Sequence, residues 1–215
     1  MVLFVSKVAV IIPAYNEEKT LGDVIRVVKT VPVVDEIIVI SDGSTDKTAE
    51  VARASGALCI ELDQNVGKGG AMKAGIDRAD ADIFVFLDAD LIGLQAQHVI
   101  DLVDPVLNGG ADMTIGIFDK GRMATDWAQV VAPYLSGQRA VKREILLAVS
   151  GLDIARYGVE MALTRHIREH PIRVQEVIMC NLTHLMKEEK LGLLRGFLAR
   201  MKMYWEIVRY TQQAK

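Results

Sequence analysis

The chain has 215 residues, 51% of them hydrophobic, and a formal charge of −3. That length can bury one substantial core, and the near-neutral charge excludes a general nucleic-acid binder, which would carry a strongly basic footprint. Two cysteines, Cys59 and Cys180, without CxxC spacing exclude a disulfide framework or a zinc knuckle and make a reduced, cytoplasmic setting the default.

The opening MVLFVSKVAVIIP is apolar but has no basic leader region, and Lys7 and Pro13 cut it short of the ~20 apolar residues a membrane span requires. Residues 7–12 therefore read as the first strand. A helix over 18–29, a strand over 35–41, a helix over 45–55 and a strand over 57–62 follow. A helix over 68–79, a strand over 82–87, a helix over 95–107 and a strand over 111–118 complete the alternation. Strands that are apolar throughout, separated by helices, predict a mostly parallel sheet covered on both faces. The second half is less regular: 116–134 reads as loop-rich, 138–148 and 158–170 as helices, and 172–179 as a strand.

In such sheets ligands bind beyond the carboxyl ends of the strands. Here those ends carry PAYNEE (13–18), SDGSTD (41–46), DQNVGKGGA (63–71) and DADLIG (88–93). Asp88 and Asp90 leave a buried strand, and two carboxylates spaced by one residue can share a hard divalent cation that bridges diphosphate oxygens; the same pair can also cap the following helix. Gly67, Lys68, Gly69 and Gly70 precede a helix whose amides and lysine suit phosphate, or they form only a tight turn. This is not a Walker A loop. Asp42 and Ser44 can meet a nucleobase or serve an Asx turn and a helix cap. Tyr15 can pack on a base and Glu17 can reach a ribose, while Asn16 can cap the first helix.

IIPAYNEE, ISDGSTDKT, NVGKGGAMKAGI and FLDADL, in that order, resemble the nucleotide-sugar half of the family-2 glycosyltransferases with the GT-A fold. The resemblance covers about residues 7–114. It implies one α/β GT-A domain over 1–215, Rossmann-like, with a mostly parallel sheet flanked by helices. Residues 7–114 would be the nucleotide-sugar-binding half, 115–186 the acceptor half and 187–215 a long amphipathic C-terminal helix. It implies further that Pro13, Ala14, Tyr15, Glu17 and Asp42 face the base and ribose. Gly67 and Lys68 would face uracil or the diphosphate, and Asp88, Ala89 and Asp90 the sugar, its ribose and a Mg2+ or Mn2+ ion. One departure is Ser41, where the family often has an acid before the Gly-Ser pair; it bears on which base is bound.

In the second half, YLSGQRAVKREIL (134–146) looks like the segment that family members use beside the acceptor and donor sugar. Ser136 and Gly137 would form its close-approach turn, and Arg139, Lys142 and Arg143 could attract an anionic acceptor, or could be the solvated face of an amphipathic helix. Around RYGVEMALTRHI the resemblance is to glucosyl-3-phosphoglycerate synthases and dolichyl-phosphate mannosyltransferase-like enzymes. It makes Glu160 a candidate catalytic base, or a ligand of sugar hydroxyls, beside Asp90 and Lys68 in the catalytic set. His184 would complete the metal site with Asp88 and Asp90. Leu191, Leu194, Leu198, Met201, Trp205 and Val208 give one apolar helical seam, which suits intramolecular packing, a homodimer or peripheral contact with an anionic membrane.

The resemblance thus implies a metal-dependent hexosyltransferase that moves glucose or mannose from a UDP- or GDP-sugar to a phosphorylated acceptor, either a polyprenyl phosphate or a small phosphate ester. The rivals are a sugar-1-phosphate nucleotidyltransferase, which would have a glycine-rich basic loop where this chain has PAYNEE, and a non-catalytic nucleotide-sugar-binding protein. Retaining or inverting stereochemistry stays open.

Overall fold

Apolar runs closed by polar turns become the strands of one sheet in the computed structural model, which describes residues 6–119, 136–149, 163, 166, 167 and 169–184. The first four are β1 (Val8–Ala14), β2 (Glu36–Asp42), β3 (Leu58–Leu62) and β4 (Ile83–Phe86). They pair in parallel, β2 on one side of β1 and β4 on the other. Beyond β4 the sheet continues through β7 (Arg139–Lys142), β6 (Met113–Phe118) and β8 (Val174–Met179). The full order is β3-β2-β1-β4-β7-β6-β8. Strand order thus reverses between β1 and β4, which opens a crevice at their carboxyl ends. Two short strands, β5 (Leu91–Ile92) and β9 (Thr183–His184), stand apart from this sheet.

Strand alternation splits the core into two layers. Val8, Val10 and Ile12 pack with Val24, Ile25 and Val28 of α1 (Leu21–Val28) and with Leu102 and Val103 of α4 (Ala96–Leu107). Ala9 and Ile11 face the opposite layer, with Met72 and Ile76 of α3 (Lys68–Arg78). A Cβ on Gly75 would lie 2.5 Å from Ile11 Cγ2, so α3 rests directly on β1 and its N-terminus is carried to the rim. The remaining helices are α2 (Thr48–Ala54) and the short α5 (Arg143–Ala148).

Three expectations are corrected. The first helix starts at Leu21 rather than 18, because the Glu17 carbonyl accepts the Thr20 and Leu21 amides in a turn that uses up 18–20. The second starts at Thr48, with Asp46 rather than Ser44 or Thr45 receiving the Thr48 amide. Residues 138–148 are not one helix: 139–142 form β7, antiparallel to both β4 and β6, and only 143–148 are helical. Arg139, Ala140 and Val141 are at most 0% exposed, and burial on both sheet faces favours a strand over the one-sided burial of a surface helix.

Compact units comprise Met1–Thr183 and His184–Lys215, and every described side chain belongs to the first. The seam over 191–208, Glu160 and the side chain of His184 lie outside the described residues. Among the described residues no helix is long and apolar enough to cross a membrane.

Candidate active site

The loops after β1 and β2 are knitted together by side chains that their sequences supply. Asn16 takes a left-handed φ of 56°, and its Oδ1 accepts the Thr45 amide at 2.8 Å while its own amide donates to Ser44 Oγ at 3.2 Å. Asn16 therefore binds the second loop rather than capping α1. The Glu17 amide donates to Thr48 Oγ1 at 2.8 Å, and Glu18 Oε2 accepts the Lys47 amide at 3.0 Å. Burial pushes the Asp46 carboxyl up, but hydrogen bonds from Thr48 and Glu18 outweigh it and hold the group below its usual range. Tyr15 stands 49% exposed above this base, while Glu17 and Pro13 are half-buried. The methyl of Ala14 points into the core.

The second and third loops are joined by Asp42. Its side chain is buried, Oδ1 accepts the Val66 amide at 2.7 Å and Oδ2 accepts the Gly67 amide at 2.9 Å. An ionised carboxylate satisfies two donors at once, so Asp42 sets the path of the chain into α3. Gly67, with φ at 85°, is the N-cap of that helix, a conformation glycine adopts without cost. Lys68 is then the first helical residue. Whatever Asp42 offers a base, this bracing is its contact within the chain.

Lys68 reaches across the crevice to β4. Its Nζ lies 2.6 Å from Asp88 Oδ1, and the two side chains are 29% and 19% exposed. Asp88 and Asp90 are half-buried and alternate with Leu87 and Ala89, whose side chains are in the core. They do not cap α4: there the Gln95 amide donates to His98 Nδ1 at 3.2 Å. Among the described residues no group of three His, Cys, Asp or Glu side chains is gathered for a metal. Gly93, just downstream, is so close to the chain ahead of β9 that a Cβ on it would lie 2.5 Å from the Asn181 carbonyl oxygen.

The far segment arrives because β7 runs antiparallel. A strand antiparallel to β4 begins where β4 ends, so Ser136, Gly137 and Gln138 come to the same rim as Asp88. Gln138 Nε2 donates to Asp88 Oδ2 at 2.8 Å. A Cβ on Gly137 would collide with Lys68 Nζ and with both Asp88 oxygens, so glycine is needed for close approach. Ser136 Oγ donates to the Gly116 carbonyl at 2.6 Å. Arg139 is fully buried, not on a solvated helix face, and its Nη2 donates to the Ser136 carbonyl. Lys142 and Arg143 lie at the opposite end of β7, away from the crevice. Lys142 pairs with Asp112 at 2.7 Å, and Arg143 donates to the Ala79 and Ala81 carbonyls and covers the Phe84 ring.

Lys68, Asp88, Ser136, Gly137 and Arg139 are therefore brought together, with Asp42 and Gly67 beneath the glycine loop. Sequence reasoning missed Gln138. Its signal was a polar residue at the entrance of an apolar stretch, which only the antiparallel course of β7 turns into a contact with Asp88.

The family model described as Glycosyl transferase family 2 matches residues 9–163. Glucosyl-3-phosphoglycerate synthase of Mycobacterium tuberculosis is 32% identical over 73% of this chain and 59% of its own length. A 4,4'-diaponeurosporenoate glycosyltransferase of Staphylococcus aureus is 29% identical over 67% of this chain and 37% of its own. The crystal structure of the mycobacterial synthase in complex with Mn2+, UDP-glucose and phosphoglyceric acid superimposes with a TM-score of 0.73. It is 30% identical and covers 84% of this chain and 72% of the other. The chain thus spans 59% of the length of the mycobacterial relative.

Proposed function

The chain belongs to glycosyl transferase family 2, and from that premise we propose that it transfers a hexose, glucose or mannose, from a UDP- or GDP-linked donor to a phosphorylated acceptor. The observation that carries this reading is the convergence of Lys68, Asp88 and the 136–138 turn on one crevice. It is supported by the mycobacterial synthase, whose complex holds Mn2+, UDP-glucose and phosphoglyceric acid.

Asp88 and Asp90 fit a Mg2+ or Mn2+ ion: they are half-buried oxygen ligands at a polar rim, the chemistry a hard cation selects. His184 joins them in this proposal on the resemblance alone. When bound, such an ion offsets the negative charge that builds on the departing nucleoside diphosphate. Lys68 has the same task from the protein side, moving its ammonium from Asp88 to the diphosphate. The amides at the start of α3, held in place by Asp42, face the same anion. Pro13, Ala14, Tyr15 and Glu17 take the base and ribose, while Ser136, Gly137 and Arg139 form the floor beneath the donor sugar and acceptor. Glu160 takes the acceptor proton or holds sugar hydroxyls; a phosphate acceptor that is already anionic needs no base.

The cytoplasmic setting belongs to the same proposal and agrees with two free cysteines, Cys59 half-buried and Cys180 exposed. The test is turnover. UDP-glucose and GDP-mannose are each incubated with Mn2+ and with 3-phosphoglycerate or a short polyprenyl phosphate, and the glycosylated product is followed by mass spectrometry. Acceptor-dependent product from one donor supports the proposal. Donor binding without product under every pairing would leave a nucleotide-sugar-binding protein in its place.

A further inference from the structure

Gln138 is given no contact with donor or acceptor in the transferase reading above, yet among the described residues it is the largest neutral polar side chain buried at the crevice, with 0% exposure. We propose that Gln138 is a positioning residue of the donor site, which acts by fixing the Asp88 carboxylate in one orientation. The inference rests on the transferase reading and adds to it a residue, separated from Asp88 by 50 positions, on which donor affinity depends.

The chemistry leaves one orientation for the amide. An ionised carboxylate only accepts hydrogen bonds, so the nitrogen of Gln138 must face Asp88 and its oxygen must turn away. That oxygen lies 3.1 Å from Ser136 Oγ, and the Gln138 backbone amide donates to the same hydroxyl at 3.3 Å. Ser136 Oγ is anchored in turn on the Gly116 carbonyl of β6 at 2.6 Å. The Gln138 backbone is thereby tied through the Ser136 hydroxyl to β6, and the side-chain N–H is delivered to Asp88 from a fixed strand.

At Asp88 the two oxygens are distinguished. Oδ2 accepts from Gln138 at 2.8 Å, whereas Oδ1 meets Lys68 Nζ at 2.6 Å. The Gly137 backbone closes the third side, where even a methyl group would overlap both oxygens. Rotation of the carboxylate would break a charge-assisted hydrogen bond and an ion pair together. Lys68 is mobile in the proposed reaction, since its charge is needed at the diphosphate, whereas the Gln138 contact stays in place when Lys68 leaves. Gln138 gives its donor to a crevice carboxylate whose side chain is 19% exposed.

The test measures affinity separately from stability. UDP and GDP are titrated calorimetrically in the presence of Mn2+ into wild type, Gln138→Met and Gln138→Glu, with thermal unfolding of each protein alongside. Gln138→Met keeps length and loses the N–H, and the dissociation constant of the nucleotide that wild type binds rises about tenfold, the range of one hydrogen bond to a charged group. Gln138→Glu sets a carboxylate against Asp88, and the loss is larger. A merely structural role would lower the melting temperature of the folded variants and leave their dissociation constants within about twofold of wild type; that result from either variant overturns the inference alone. Wild type that binds neither nucleotide would remove the transferase reading, and this inference with it.

Discussion

Asp42→Asn is the substitution that separates bracing of the glycine loop from direct contact with a base. The two side chains have the same shape, but an amide has one acceptor oxygen, whereas Asp42 accepts from both Val66 N at 2.7 Å and Gly67 N at 2.9 Å. In the variant one backbone amide faces an NH2 group and the other keeps only a neutral acceptor. A hydrogen bond to a charged group contributes about 1.5–3 kcal/mol and a neutral one about 1. Losing one and weakening the other gives a destabilisation of roughly 2–3 kcal/mol. At ~2–4 °C per kcal/mol for a chain of this size, the melting temperature falls by about 4–12 °C. Differential scanning calorimetry without nucleotide reads this directly. A variant that melts within about 1 °C of wild type would refute the bracing and return Asp42 to a role felt only when a nucleotide is bound.

Gly137→Ala places a methyl group on Lys68 Nζ and the Asp88 oxygens; calorimetric titration of the nucleotide is expected to show affinity lost about tenfold or more, while urea unfolding changes little because the displaced atoms are side-chain ends. Asp112 joins the starts of β6 and β8 to the end of β7, and hydrogen bonds from Arg173, then Lys142, hold its carboxyl well below the usual range. A depressed carboxylate contributes stability that is fully present above the ordinary value of about 4 and is lost as pH falls toward the folded value. Asp112→Asn therefore lowers stability at neutral pH, and its gap to wild type narrows below about pH 4 in chemical unfolding curves taken across pH.

The sheet was legible because its central parallel strands, β1 and β4, are buried on both faces and read as the unbroken apolar runs VAVII and IFVF. The rim loops were legible because a strand that ends in Asp88 or Asp42 must hand its carboxylate to a partner. Helix starts were less so: the bond from Thr20 to the Glu17 carbonyl delays α1 and leaves no trace in hydrophobic periodicity. The 138–148 stretch misled because the buried cation Arg139 beside Lys142 and Arg143 mimics the polar face of a helix. Gln138 meets Asp88 only through the antiparallel entry of β7, a property of topology that no local pattern encodes.

The central claim is a metal-dependent nucleotide-sugar site at the rim of β1 and β4. Calorimetric titration of UDP, GDP, UDP-glucose and GDP-mannose into wild type and Asp90→Ala, with Mn2+ and with chelator, tests it most directly. The account predicts Mn2+-dependent binding of one nucleotide family by wild type, and its loss both in chelator and in Asp90→Ala. Equal binding with and without metal, or an Asp90→Ala variant that binds as wild type does, would contradict it.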